Sequence, residues 1–261
     1  MSHKPFLITD NIHNFRDYGG YRVINGGVIK SSTLFRSGHH ANASKDDLRI
    51  VGAIDFAHII DLRGNSERQA HTCIRASNFK GETLFFDGET AGLTLAPHLE
   101  AANSSFDAVS AHQAMVNLYA SLPDRLGLTW ILKRFFRALS EGMGPSLVHC
   151  AAGKDRTGMA VDLLHHILGV HPDDAMEDYL LTNSSPRNEE RIKHGMALMG
   201  QKYGTIEDDV VRVLMGVDME FLLAARNSVK ERFGSVDIYL EKILGVDSEV
   251  REKLVAGLVV A

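Results

Sequence analysis

Residues 145–164 run from Pro145-Ser146-Leu147-Val148 through His149-Cys150-Ala151-Ala152-Gly153-Lys154-Asp155-Arg156-Thr157-Gly158 into Met159-Ala160-Val161 and Leu163-Leu164. The first four are short and apolar enough for a buried strand, and the apolar positions after Gly158 recur at helical spacing. The stretch between must turn the chain from strand to helix, and it does so with a cysteine, a glycine and three consecutive charged residues. Three charges do not belong in a dry core turn. Gly153 removes the Cβ that would block a tightly curled backbone. A loop that ends on a helix N-terminus presents inward N–H groups and the positive end of the helix dipole, which together suit an anion such as a phosphoryl group of about two negative charges.

Within this loop Cys150 occupies the centre of the ring of donors. The field that holds phosphate also favours a thiolate, so Cys150 is the expected nucleophile. Arg156, six residues further on, can curl back and grip two phosphate oxygens with its planar fork, which a lysine cannot do. The expected phosphate-binding set is Ala151, Ala152, Gly153, Lys154, Arg156 and Thr157, with the Thr157 hydroxyl placed to hydrogen-bond the departing sulfur. Lys154 reads as a cation at the rim, favouring a substrate with further phosphates; the plainer reading is a solvated charge. The plainer reading of Cys150 is a structural thiol in an ordinary turn, which the three charged neighbours oppose.

These residues resemble the signature loop of cysteine-dependent phosphatases. The Gly-Lys-Asp-Arg-Thr-Gly form is similar to that of a bacterial and fungal branch of atypical tyrosine and phosphoinositide phosphatases, the tyrosine phosphatase family 3. The same family's pattern is resembled by Asn14-Phe15-Arg16-Asp17 with Gly19-Gly20, by Leu34-Phe35-Arg36-Ser37-Gly38, by Ile59-Ile60-Asp61-Leu62-Arg63 with Glu67-Arg68, and by Tyr239-Leu240 with Leu244-Gly245. The likeness spans almost the whole chain. It implies a phosphomonoester hydrolase, a protein tyrosine phosphatase or a dual- or lipid-specific one, acting through a phosphocysteine. Its substrates would be a phosphotyrosine protein, a phosphoinositide or a small phosphomonoester, and phosphate, sulfate or vanadate would be site ligands. No cofactor is expected, because fixed donors supply the charge stabilisation. Position 151, where some lipid phosphatases with a similar loop carry a second lysine, is alanine here. Arg16 and Arg36 line the pocket by the same resemblance, or else serve as surface or ion-paired arginines.

Such chemistry needs a proton for the leaving oxygen, a contribution of about 10²–10⁴ in rate. The resemblance implies Asp155 for this role. Asp61, ending a predicted strand beside Arg63, is the alternative acid, although an Asp-Leu-Arg strand end also suits a structural ion pair. Asp87, after Phe85-Phe86, would sit on a mobile loop and ranks third. His149 is expected to orient the loop rather than to transfer protons. The other histidines, including His39-His40 and His165-His166, lack acidic or cysteine partners at metal-ligand spacing, so no metal site is expected.

The rest of the chain bounds the reading. At 261 residues it can bury a large core, and it reads as one phosphatase domain over residues 1–261. A net charge of −5 gives no general pull on nucleic acid or on an anionic membrane, so the attraction for phosphate must be local. Cys73 and Cys150 are too few for a disulfide framework and suit a reducing compartment; a reversible bond between them would protect the nucleophile. No window has the run of about 18 apolar residues that a membrane span requires, and Met1 to Asp10 lacks the pattern of a secretory leader, so a cytoplasmic location is expected.

Asn25-Gly26-Gly27 between Tyr21–Ile24 and Val28-Ile29 reads as a hairpin. Ser44 caps a short predicted helix to Gly52, and Phe56–Leu62 and Thr83–Phe86 read as strands. Helical spacing over 104–140 breaks at Pro123, and everything after Thr157 reads as helix upon helix. The sum is a three-layer α/β domain, a central sheet flanked by helices with a helical C-terminal half. Residues 87–110, small and polar without a period, read as a lid or a plain surface excursion. Two other classes carry a cysteine or a phosphate on such a loop: another thiol enzyme, either a sulfurtransferase or an arsenate reductase, and a non-catalytic phosphate-binding module. The first does not need Arg156 and Thr157 at this spacing, and the second would not need both Cys150 and Arg156 intact.

Overall fold

In the computed structural model, which describes residues 5–91, 107–203 and 207–261, the strand before the cysteine is the middle one of five. The strands are β1 (Arg16–Asp17), β3 (Leu34–Ser37), β4 (His58–Asp61), β5 (Glu82–Phe85) and β6 (Ser146–His149), in the spatial order β1-β3-β6-β4-β5. Only β1 runs antiparallel to its neighbour. The carboxyl ends of β3, β6, β4 and β5 therefore share one edge, where open parallel sheets hold ligands. Register brings Ser37, His149 and Asp61 into one row at that edge.

Alternation along the strands divides the core. Phe35, Leu147 and Ile59 pack with Ile12, Phe15, Val51 and Phe56 on one face, beneath α1 (Lys45–Ile54), whose N-cap is Ser44 as the sequence predicts. Leu34, Val148, Ile60 and Leu84 join the larger core on the other face. That core contains residues of α3 (Ala108–Ser121), α4 (Leu126–Glu141), α5 (Asp155–Leu168) and α6 (Pro172–Leu180). Burial on both faces explains why β4 and β6 read as apolar runs in the sequence. A 3-10 turn, Leu122–Asp124, holds Pro123 at the break between α3 and α4.

Further helices among the described residues include α2 (Asn65–Ala70), α7 (Asn188–Tyr203), α8 (Asp208–Met215), α9 (Met219–Phe233) and α10 (Ser248–Leu258). The C-terminal part is not wholly helical. Strand β7 (Val259–Val260) returns to pair antiparallel with β2 (Val28–Ile29). The turn at Asn25-Gly26-Gly27 still closes as expected, with the Ile29 N–H donating to the Tyr21 carbonyl at 2.9 Å, while β2 uses its other edge for β7. Of the segment 87–110, residues 92–106 lie outside the described residues. Among the described residues, no helix is long and apolar enough to cross a membrane.

Candidate active site

Cys150 leaves the end of β6 with 2% of its surface exposed, and α5 begins at Asp155. Between them the loop is held by its carbonyls. The Ala151 carbonyl accepts the His39 N–H at 3.1 Å. The Gly153 carbonyl accepts from Asn14 Nδ2 at 2.7 Å and Arg36 Nη2 at 3.0 Å. In a trans peptide the C=O of one residue and the N–H of the next point oppositely. Drawing these two carbonyls toward outer donors thus aims the Ala152 and Lys154 amides toward the inside of the loop. Gly153 has φ of +69°, and a Cβ there would meet the Ser37 carbonyl carbon and oxygen at 2.4 Å.

The outer donors have their own support. Arg16 and Arg36, both fully buried, share the carboxylate of Asp178 on α6: Arg16 Nε donates at 3.2 Å and Arg36 Nη1 at 2.8 Å. Arg16 also reaches the Asp178 carbonyl at 2.7 Å and the Asn14 Oδ1. Burial alone would raise the Asp178 pKa, but the two guanidinium groups bring it down to about 2. The arginines of the N-terminal segments are therefore buttresses behind the loop rather than walls of a pocket.

Arg156 is clamped from another direction. Its Nη1 and Nη2 donate to the two Glu67 oxygens at 2.6 and 2.7 Å. Nη1 also meets Thr90 Oγ1 at 2.9 Å and the Leu62 carbonyl at 3.2 Å. Burial would lower its pKa, but Glu67, with Cys150 and Asp155 behind it, raises it, so the guanidinium stays charged. Glu67, on α2, is held below the usual carboxylate range by Arg156 against the upward pull of its own burial. Arg156 Nε and Thr157 Oγ1 are buried and have no hydrogen-bond partner among the described residues.

Of the three aspartates, Asp155 is 1% exposed and its Oδ1 accepts from Tyr119 Oη and from Lys154 Nζ, both at 2.9 Å. Lys154 is not at an open rim: it is fully buried, with Nζ also on the Gly216 carbonyl at 3.1 Å. Burial pushes its pKa down, Asp155 opposing. Asp61 accepts from Arg63 Nε at 2.9 Å and Nη2 at 2.7 Å, and lies 3.7 Å from His149 Nδ1. Burial would raise its pKa, yet His149 and Arg63 hold it far below the ordinary range. That geometry favours the ion-pair reading of Asp61. Asp87 is exposed and accepts from Asn65 Nδ2 at 2.9 Å.

A tyrosine phosphatase family model matches residues 7–260. The chain belongs to the tyrosine phosphatase family. A Cupriavidus necator protein provisionally named as a tyrosine-protein phosphatase is 31% identical over 254 residues, covering 96% of this chain and 89% of its own. The triple specificity protein phosphatase PtpB of Mycobacterium tuberculosis is 34% identical over 151 residues, 54% of this chain and 52% of its own. The crystal structure of Pseudomonas aeruginosa TpbA covers 76% of this chain and 89% of its own, at 15% identity and a loose TM-score of 0.28.

In the phosphatase, His149 sits against the backbone of the loop. Nδ1 lies 3.4 Å from the Cys150 carbonyl, and the ring stacks on His40 with centroids 5.6 Å apart. Burial lowers its pKa to about 3, so it is neutral at working pH. Ligand atoms of Asp61, Cys73 and His149 approach within 4.8 Å of one another, but Arg63 is already the cation among them, donating to Cys73 Sγ at 3.1 Å as well as to Asp61. The Arg63 guanidinium meets the Asp61 charge there.

The residues that sequence reasoning passed over are Asn14, Glu67, Thr90, Tyr119, Asp178 and Arg191. Asn14 and Glu67 stood inside segments already marked by the family resemblance. Arg191, on α7, is 8% exposed and donates to the Met215 carbonyl, next to the Gly216 carbonyl that holds Lys154. Burial lowers its pKa to about 10, while Asp155 and Cys150 pull it upward. Tyr119, Thr90, Asp178 and Arg191 carried no local signal: each is an ordinary residue of its helix or loop until the fold supplies its partner.

Proposed function

We propose that the phosphatase hydrolyses phosphomonoesters by two displacements at Cys150. The observation that carries this reading is the state of Arg156 and Thr157. Both terminal nitrogens of Arg156 are fixed on Glu67, while Nε and Thr157 Oγ1 are buried without a protein partner among the described residues. An unpartnered buried polar atom costs about 1–3 kcal/mol, and a phosphoryl oxygen placed over Cys150 removes that cost. The Ala152 and Lys154 amides and the N-terminus of α5 complete the cradle.

In the first step the Cys150 thiolate attacks phosphorus, the bond to the leaving oxygen breaks, and Asp155 gives that oxygen its proton. In the second, water attacks phosphorus, its proton passes to the Asp155 carboxylate, and the sulfur–phosphorus bond breaks to return thiolate and inorganic phosphate. Every charge that develops is met by a donor already in place, so no cofactor enters.

Phosphotyrosine protein is the primary substrate class. Phosphoinositides are the second: the triple specificity in the name of the M. tuberculosis relative leaves room for more than one substrate class, while Ala151 and the burial of Lys154 weigh against them. A reducing, cytoplasmic setting suits a free catalytic thiol.

The test is steady-state hydrolysis of a phosphotyrosine peptide and of phosphoinositide vesicles by wild type and Cys150→Ser, with chelator present. Activity that vanishes in the serine variant supports the reading, and the ratio of the two substrates ranks them. Activity that survives Cys150→Ser overturns it. Vanadate is expected to inhibit competitively.

A further inference from the structure

Behind Asp155 stands a chain of hydroxyl groups that the two displacements do not use. Tyr179 Oη donates to Tyr119 Oη at 2.7 Å, and Tyr119 Oη donates to Asp155 Oδ1 at 2.9 Å. Tyr119 is fully buried and Tyr179 is 1% exposed. Their rings meet edge to face, with centroids 6.2 Å apart. Three separate elements, α3, α6 and the start of α5, converge on one carboxyl group.

We propose that Tyr119, backed by Tyr179, is the positioning residue for the proton donor Asp155: the relay fixes the rotamer of the carboxyl group and selects the oxygen that carries the proton. The proposal rests on the reading of Asp155 as the general acid. An oxygen that already accepts from Tyr119 and from Lys154 Nζ has no lone pair to spare for a third hydrogen, so the transferable proton belongs on Oδ2. Accepting two hydrogen bonds at the carbonyl-type oxygen also withdraws charge from the O–H and makes it a better donor. The order of the relay is set by its far end. Tyr179 gives its hydrogen to Tyr119, so the Tyr119 hydroxyl has its own hydrogen to spend on Asp155 and cannot turn away without breaking both bonds.

The packing around the relay is specific. A Cβ on Gly158, one helical turn into α5, would lie 2.9 Å from Tyr179 Cδ2 and Cε2. The glycine of the signature loop therefore makes room for the ring that supports the acid. Tyr179 follows Asp178, whose carboxylate holds Arg16 and Arg36 behind Gly153. One turn of α6 thus braces the phosphate cradle with one residue and the proton donor with the next. Burial, and then Asp155, hold the Tyr119 phenol well above its ordinary pKa, so it remains a donor wherever the enzyme works.

Among the described residues, the charged and titratable groups facing Asp155 include Lys154 and Arg156 from its own loop and helix, Tyr119 from α3, Tyr179 from α6 and Arg191 from α7. Lys154, Arg156 and Arg191 all favour the carboxylate, and so does the Tyr119 hydrogen bond. Removing the hydroxyl removes one stabiliser of the ionised form, so the alkaline limb of the kcat profile, where the acid loses its proton, moves to higher pH in Tyr119→Phe. A purely structural role for Tyr119 would lower kcat without moving that limb.

The experiment compares wild type, Tyr119→Phe, Tyr179→Phe, Asp155→Asn and the double variant Tyr119→Phe/Asp155→Asn on p-nitrophenyl phosphate and phenyl phosphate, with pH profiles and melting temperatures. Phenolate is the poorer leaving group and needs the proton more. Expected are an about tenfold loss of kcat on phenyl phosphate in Tyr119→Phe, a much smaller loss on p-nitrophenyl phosphate, an alkaline limb shifted upward, and no further loss when Tyr119→Phe is added to Asp155→Asn. Tyr179→Phe should show the same pattern more weakly, and it decides the matter should Tyr119→Phe fail to fold. Equal losses on the two substrates, an unmoved limb, or a Tyr119→Phe cost that persists undiminished on top of Asp155→Asn would overturn the relay. If Asp155→Asn itself discriminates against neither substrate, it is the assignment of the acid that falls, and the relay with it.

Discussion

Arg156 shows how much of a buried side chain's behaviour is decided by a neighbour. Glu67 holds Nη1 and Nη2 at 2.6 and 2.7 Å and leaves Nε buried without a hydrogen-bond partner among the described residues. A glutamine at position 67 keeps the shape but supplies only one acceptor oxygen and no charge, so the fork loses its second anchor. Glu67→Gln is expected to lower kcat/KM on p-nitrophenyl phosphate by about 10²-fold, the scale of an ångström-sized misplacement, with the fold retained. A variant with wild-type kcat/KM would show that Arg156 orients itself. The same logic separates the three aspartates. Asp61 is committed to Arg63 and Asp87 to Asn65, whereas Asp155 faces Tyr119, Lys154 and the loop that carries Cys150.

The strand–loop–helix unit from β6 to α5 is only half of its own support. Its local sequence sets the curl through Gly153 and the helix start at Asp155, but the carbonyls are turned outward by Asn14, Arg36 and His39, from the other end of the chain. Asp178 on α6 is the common counter-ion of that buttress. Removing one carboxylate from a buried arrangement with two guanidinium groups leaves uncompensated charge, so Asp178→Ala is expected to destabilise the protein by about 3–5 kcal/mol, measured as a shift in the urea midpoint, and to weaken phosphate binding in whatever remains folded. A change within about 1 kcal/mol would mean that the arginines find other partners. Gly153→Ala acts on the same element from inside. Left-handed strain alone costs about 1–2 kcal/mol, and the contact with Ser37 at 2.4 Å forces the loop off its buttress; titration with phosphate should show affinity lost well beyond any loss of stability.

Across the whole molecule, acid sensitivity follows from histidines buried as neutral rings. Burial lowers His149 to about 3 and also depresses His40 and His165, all of them with no exposed surface. Each has a folded pKa below the unfolded value of about 6.5, so the unfolded chain binds the extra protons as pH falls. Their stabilising contribution is complete above about 6.5 and is lost progressively below it, at about 1.4 kcal/mol per pH unit for each such ring. Asp178, held at about 2, has the same sign but gives way only at lower pH. The melting temperature at constant ionic strength is therefore expected to drop between pH 7 and 5, before the paired carboxylates titrate. A flat melting temperature over that range would mean that these rings are protonated in the native state.

What the sequence determined by itself is what local physics encodes. Apolar runs marked β4 and β6 because parallel strands bury both faces. Ser44 marked a helix start because a hydroxyl satisfies an open amide, and Pro123 marked the boundary between α3 and α4. The spacing from Cys150 to Arg156, read together with Gly153, marked a tight strand-to-helix loop because a curled backbone and a helix N-terminus must follow one another in the chain. Tertiary structure alone decided the partnerships: Glu67 with Arg156, Asp178 with Arg16 and Arg36, Tyr119 and Tyr179 with Asp155, the burial of Lys154, and the return of β7 to β2. These are meetings of side chains or strand edges distant in sequence. A side chain's charge and donors are legible residue by residue, but which partner they meet depends on how the layers stack, and that is a property of the folded chain.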